Sequence, residues 1–464
     1  MATVDIHPQP RGRTLVDWRP EDAGFWSAAG RGVAQRNLWI SIPCLLLAFS
    51  VWMVWSVVVA RLPAIGFDFT TSELFLLAGL PGLSGATLRI FYSFMIPIFG
   101  GRLWTTLSTA SLLIPSIGIG FAVQDPDTPY SMFVILALLC GFGGGNFASS
   151  MANINYFFPK AQKGNALALN AGLGNLGVSV MQFVVPLVIT MGLFGSLGGE
   201  AQTISDGGRL WLQNAGFVWV PFLAIAALAA WFGMNDIADA KASLSEQLSI
   251  LKRKHNWLMC VLYIGTFGSF IGYSAGFPLL MKTQFPEVNA LSYAFLGPLV
   301  GALSRAATGW VSDRFGGGRV TFWTFLGMIL AVIGVIWFLP LGGTAGNFWG
   351  FFACFMALFF LTGVGNASTF QMIPSIMRQE IPRLLPDLDD AATRKTAERE
   401  AGAIIAFTSA IAAYGAFFIP KAYGSSIAMT GGPGAALWGF AIFYAVCVVV
   451  TWAFYTRRGA PVPC

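Results

Sequence analysis

The sequence predicts an all-α membrane protein with twelve transmembrane helices in two six-helix, pseudo-symmetric halves. Three observations predict it. Of 464 residues, 56% are hydrophobic and only 10% charged, with a mean hydropathy of +0.68, whereas a soluble domain carries about 25% charged residues. Runs long enough to cross a hydrocarbon core of about 30 Å occur twelve times. A phrase in the second run returns in the eighth.

The elements follow in order. Residues 1–37 are polar, contain five arginines and lack the short apolar core of a cleavable signal peptide. They read as a cytoplasmic N-terminal segment, with the first span directing insertion. The first half, 38–234, holds spans at 38–60, 74–100, 103–122, 130–157, 164–194 and 216–234. Residues 235–256 form a linker in which Leu244, Leu248 and Leu251 recur at helical spacing, as in a short amphipathic helix on the membrane face. The second half, 257–456, holds spans at 257–281, 289–312, 320–340, 347–377, 401–424 and 434–456, and a tail, 457–464, follows. The charged stretch 379–400 reads as a solvated loop.

The cations orient these spans. Of 27 Lys and Arg, 21 fall on the side of the N-terminus and four on the other, at Arg61, Arg209, Lys282 and Lys421. This bias places both termini in the cytoplasm, with the spans in contact with the lipid bilayer. It also accounts for the basic pI without a nucleic-acid partner. Five of six cysteines lie in apolar runs at spacings that match no metal site, so no metal, cofactor or disulfide is expected.

The two remaining cations are Arg89 and Arg305, each inside an apolar run. "GATLRIFYSFMIPIFGGR" (85–102) aligns with "GALSRAATGWVSDRFGGGR" (301–319), one residue longer, which places the two arginines 216 residues apart in equivalent spans. Arg89 lies 13 residues before Arg102, about 20 Å of helix, too deep to snorkel comfortably; for Arg305 snorkelling stays open. Acids, backbone carbonyls, water or a bound anion can satisfy a buried guanidinium. All 21 Asp and Glu lie in termini, loops or span ends, and both histidines, His7 and His255, lie outside the spans. Backbone carbonyls and water stay open as partners; the functional reading is that the counter-ion is the substrate, a small anion gripped bidentately by a planar cation that never deprotonates. Polar groups at similar depth are Asn170, Asn175, Tyr263 and Ser409, and Phe147 and Phe267 are read as a symmetric pair for the two faces of a flat anion. Two parallel six-helix repeats with a midplane site suit a secondary transporter. Gly164, Gly172, Gly174 and Gly177 in the fifth span, and Gly415 in the eleventh, are read as helix-packing or gating positions. No nucleophile–base set, paired carboxylates or metal cluster suggests an enzyme.

"GWVSDRFGGGRV" resembles the cytoplasmic loop motif of the major facilitator superfamily, and its first-half copy lacks the Asp. "DWRPED", "RNLWIS", "NFASSMANI", "GLGNLGVSVMQ", "AAWFGMND", "GTFGSFIGYSAGF", "KTQFP" and "STFQM" together resemble the NarK/NarU-type nitrate/nitrite porters of that superfamily over nearly the whole chain. The resemblance implies a monomeric transporter of nitrate and nitrite in a bacterial cytoplasmic (inner) membrane that needs no cofactor. Arg89 and Arg305 would clamp the anion, Asn175 and Tyr263 would hydrogen-bond it, and Phe147 and Phe267 would lie against its faces. The eleventh span departs from the family: Ala406, Ala412 and Ala416 stand where glycines are expected and Tyr414 where an aliphatic residue is. The expected activity is nitrate/nitrite antiport by alternating access. The alternatives are proton-coupled nitrate symport, a carrier of another small oxyanion, and a non-transporting anion sensor.

Overall fold

The structure is a computed structural model and describes residues 13–204, 207–238, 249–340 and 345–464. The first six spanning helices are α1 (Ala23–Val58), α2 (Thr71–Tyr92), α3 (Gly101–Ala122), α4 (Tyr130–Phe157), α5 (Lys160–Val188) and α6 (Asn214–Gly233). After α7 (Lys254–Gln284), the eighth span, α8, is built from three pieces, Leu291–Ala294, Leu296–Ala307 and Gly309–Phe315. Then come α9 (Gly317–Phe338), α10 (Phe348–Leu384), α11 (Asp390–Thr430) and α12 (Gly434–Thr456). Eleven described helices are individually long and apolar enough to cross a bilayer, and α8 is the twelfth span. It breaks at Thr308, whose φ of −109° and ψ of 6° leave the helical region. Its amide and its hydroxyl both donate to the Ser304 carbonyl, at 3.0 and 2.7 Å.

Local chemistry moves several boundaries. α1 starts at Ala23, not at 38, because Asp22 Oδ1 caps it by accepting from the Gly24 and Phe25 amides at 2.9 and 3.1 Å. The segment before α1 is also anchored. Thr14–Leu15 pairs in parallel with Asp236–Ile237, and Trp18 and Trp26 pack on Phe157 and Phe158. The expected loop at 379–400 is mostly helix, because α10 runs on to Leu384 and Asp389 caps α11 on the Ala392 amide at 2.6 Å. Glu400 therefore lies inside a helix, buried, and Arg253 neutralises it through bonds of 2.7 and 2.6 Å. His255 likewise falls within α7, buried in its first turn, where Nδ1 meets the Tyr455 hydroxyl at 2.9 Å. Most of the expected linker helix, residues 239–248, lies outside the described residues; Leu251 sits in the short turn Ser249–Lys252.

The chain packs as two units, one of residues 1–68 and 83–242, the other of 69–82 and 243–464. In the first, α1 is the central helix, with Phe49, Trp52 and Trp55 fully buried. Gly174 and Gly177 let α5 approach it closely: a Cβ at Gly174 would lie 2.6 Å from Leu45, and one at Gly177 would collide with the Leu46 carbonyl. Arg102 ties the end of this unit together, donating through its backbone N at 2.8 Å and Nε at 3.2 Å to the Asp236 carboxylate. In the second unit, α7 is central. Its Tyr273 and Phe277 rings pack on Phe355 of α10 at 5.7 and 4.7 Å.

Candidate anion site

In the first unit, Arg89 is only 1% exposed, so its charge must be met by protein or ligand. Its Nε donates to the Gly144 carbonyl of α4 at 3.1 Å. Its guanidinium carbon lies 4.8 Å from the centre of the Phe147 ring and 5.4 Å from that of Trp52. Each such contact is worth about 1–2 kcal/mol when desolvated. The "GFGGGNF" stretch makes this possible, because it brings the α4 backbone close to α1 and α2. A Cβ at Gly144 would lie 2.6 Å from Trp52 and 2.8 Å from the Gly85 Cα, and one at Gly141 would collide with Ser84 Oγ. Ser84 donates to the Leu138 carbonyl at 2.7 Å and fixes the crossing.

Asn175, on α5, is 2% exposed and its Oδ1 meets no donor among the described residues. A half-turn of the amide would present its NH2 instead, which an anion can accept. Asn170 is committed elsewhere, donating to Ser150 Oγ at 2.8 Å. A methyl added at Gly164 or Gly172 would find no atom within 4 Å, so close packing does not require glycine at either position.

In the second unit, Arg305 is half-buried at the end of the middle piece of α8, three residues before the Thr308 break. Its guanidinium carbon is 5.4 Å from the centre of the Phe370 ring on α10, and its Nη1 is buried with no acceptor among the described residues. Phe370 lies 5.9 Å from Tyr263, which stacks on Phe267 at 5.5 Å and 16°. Tyr263 precedes, and Phe267 lies within, a π-helical turn, Ile264–Gly268, of the kind often found at functional sites. Arg305, Phe370, Tyr263 and Phe267 thus form one run of contacts. Ser409 on α11 is 3% exposed and donates to the Ala406 carbonyl at 2.9 Å.

The eleventh-span departures are accommodated by glycines on facing helices. Ala412 and Ala416 are fully buried. A Cβ at Gly82 would lie 2.5 Å from the Ala416 carbonyl carbon, and one at Gly268 would lie 2.9 Å from the Ala412 oxygen. Gly415 itself touches the Gly268 backbone and leaves no room for a methyl.

The chain matches the Major Facilitator Superfamily over residues 44–385. It belongs to that superfamily. Among characterised relatives it is 56% identical to the nitrate/nitrite transporter NarU of Salmonella typhimurium strain LT2, with 96% of each chain covered. It is 42% identical to the probable nitrate/nitrite antiporter NarK2 of Thermus thermophilus, covering 98% of this chain and 99% of that one. Among solved structures, a bacterial homolog of the human lysosomal transporter Spinster superposes with a TM-score of 0.63 at 14% identity, over 91% of this chain and 96% of that one. At that identity the likeness speaks to fold.

For a major facilitator chain the repeat relates span n to span n + 6, and this corrects one sequence-based pairing. Phe147 is in the fourth span and Phe267 in the seventh, so they are not repeat-related. The residue in the tenth span that meets the second arginine is Phe370. Sequence reasoning passed over it, although "STFQM" contains it and the repeat that paired the arginines points to that helix. Trp52 carried no local signal among 16 tryptophans.

Proposed function

We propose that this chain exchanges nitrate and nitrite across the cytoplasmic membrane by alternating access, as a monomer with both termini in the cytoplasm, and catalyses no reaction. The observation that carries the reading is the buried Nη1 of Arg305, which meets no acceptor among the described residues. A buried donor on a permanent cation is costly to leave unpaired, and a planar oxyanion supplies both the charge and the acceptors. In this reading Arg89 is the second cation, and Tyr263, Asn175 and Ser409 add hydrogen bonds. The rings of Phe147 and Phe267, with Trp52 and Phe370, exclude water around the anion. The names of the relatives above support nitrate and nitrite as the anions.

Exchange follows from electrostatics. An empty carrier must reorient with two guanidinium charges inside its spans, and one anion lowers that cost, so the loaded form moves faster. The test uses proteoliposomes loaded with nitrite, nitrate or neither, with pH and voltage clamped. The expected result is strong stimulation of nitrate uptake by either internal anion. Rapid uptake into anion-free vesicles, driven by an imposed proton gradient and accompanied by proton influx, would replace antiport with symport.

A further inference from the structure

Outside the anion site, the second unit carries a groove of about 410 Å³ between the last piece of α8, the start of α9 and the middle of α10. Its walls are Phe315, Val320, Trp323, Leu361 and Val364, and its one cation is Arg319. Trp323 is 69% exposed, and Trp310 and Phe315 are exposed beside it. These are flanks of membrane-spanning helices, so what covers them in the cell is lipid, and tryptophan is enriched where hydrocarbon meets headgroups. Arg314, also exposed, stands at the same helix end, with its guanidinium carbon 5.6 Å from the Phe315 ring. No ion pair is found for Arg314 or Arg319 among the described residues. Asp313 is exposed at the same end, and Cys464 O accepts from the Gly318 amide at 2.9 Å between the two arginines, so Arg319 is the one charge that lines the groove itself.

We propose that this groove is a binding site for an anionic phospholipid, with one acyl chain against Trp323, Leu361 and Val364 and the phosphate on Arg319 and Arg314. The apolar walls alone would take any acyl chain. The Arg319 guanidinium in the groove lining selects the headgroup, because a zwitterionic lipid brings its own cation to it. Basic pockets between spanning helices on the side rich in Lys and Arg are suited to such headgroups. The site also touches the transport machinery. The α8 piece Gly309–Phe315 forms one wall, and only the Thr308 break separates it from Arg305. A lipid seated there steadies the segment on which Arg305 is carried.

The test reconstitutes the full chain in two mixtures, phosphatidylcholine with brominated phosphatidylglycerol and the converse. The part of the tryptophan emission lost in Trp323→Phe isolates the groove. The expected result is that brominated phosphatidylglycerol quenches this part at a several-fold lower mole fraction than brominated phosphatidylcholine, about fivefold per unpaired arginine. The preference should vanish in the Arg314→Gln/Arg319→Gln double variant and persist in the corresponding Lys variant. Equal quenching by the two lipids in the wild type, or an unchanged preference in the double Gln variant, would overturn the proposal. Thermal unfolding in detergent, measured in parallel, verifies that each variant is folded.

Discussion

Arg305 sets its guanidinium carbon 5.4 Å from the centre of the Phe370 ring. Arg89 stands in the same relation to Phe147, at 4.8 Å. Both pairs join the second helix of a half to the fourth. The pairing is not a strict copy. Ser84 and Ser304 each donate to a carbonyl of the facing helix, at 2.7 and 3.0 Å, yet Arg89 follows its serine by five residues and Arg305 by one. The two cations are thus offset by about one helical turn relative to the packing that holds them.

Replacing Arg305 or Arg89 by Lys keeps the charge and removes the fork. Losing one charge-assisted hydrogen bond of about 1.5–3 kcal/mol predicts an affinity loss of about ten- to a hundredfold for nitrate. Counterflow into proteoliposomes measures it, and near wild-type exchange by both variants would remove the bidentate clamp.

Phe147 and Phe370 hold the arginines by their faces. Phe→Leu at either should weaken nitrate binding by about 1–2 kcal/mol while keeping most of the packing. Phe267 contacts Tyr263 rather than an arginine. If Phe267 also shapes a flat site, Phe267→Leu should reduce nitrate binding more than that of tetrahedral competitors, whereas an equal loss for all anions would leave it a packing residue.

Gly144→Ala places a methyl 2.6 Å from Trp52 and 2.8 Å from the Gly85 Cα, where backbone cannot yield. Overpacking predicts a loss of about 1–3 kcal/mol in stability and a displaced Arg89 partner. Gly172→Ala meets no atom within 4 Å and should leave the melting temperature in detergent unchanged.

Glu400 and Arg253 form a part-buried pair with side-chain exposures of 4% and 21%. Glu400→Gln strips the charge that neutralises Arg253 and should destabilise the second unit by about 3 kcal/mol, with partial recovery in Arg253→Met/Glu400→Gln. Thermal unfolding of the four members of this cycle gives the coupling.

Burial pushes the Cys464 thiol up to about 12. Since the thiolate is the reactive form, the thiolate fraction at neutral pH lies well below that of an ordinary cysteine. Maleimide labelling at Cys464 should be slow at pH 7 and still rising beyond pH 9, whereas a plateau near pH 9 would show the tail to be loose.

The sequence alone determined the membrane class, the number of spans, their division into two repeats and the two anomalous arginines. Hydrophobic length, the Lys and Arg bias and a repeated phrase are properties of the chain that need no contacts to be seen. It could not determine what surrounds the arginines. Gly144, Trp52 and Phe370 are adjacent to them only because α4 crosses α1 and α2, and α10 crosses α8, at particular residues; in sequence they are three small or aromatic positions among 54 glycines, 16 tryptophans and 41 phenylalanines. The same holds for Glu400 and Asp236, which read as loop or span-end acids until packing brought Arg253 and Arg102 against them. The break at Thr308 has no local mark either, since Thr87 makes the same hydroxyl bond to the carbonyl four residues back inside an unbroken helix. Burial patterns follow from composition along the chain. Which donor meets which acceptor is decided by where the helices cross, and close crossing in a membrane depends on glycines whose role is set by the opposite helix.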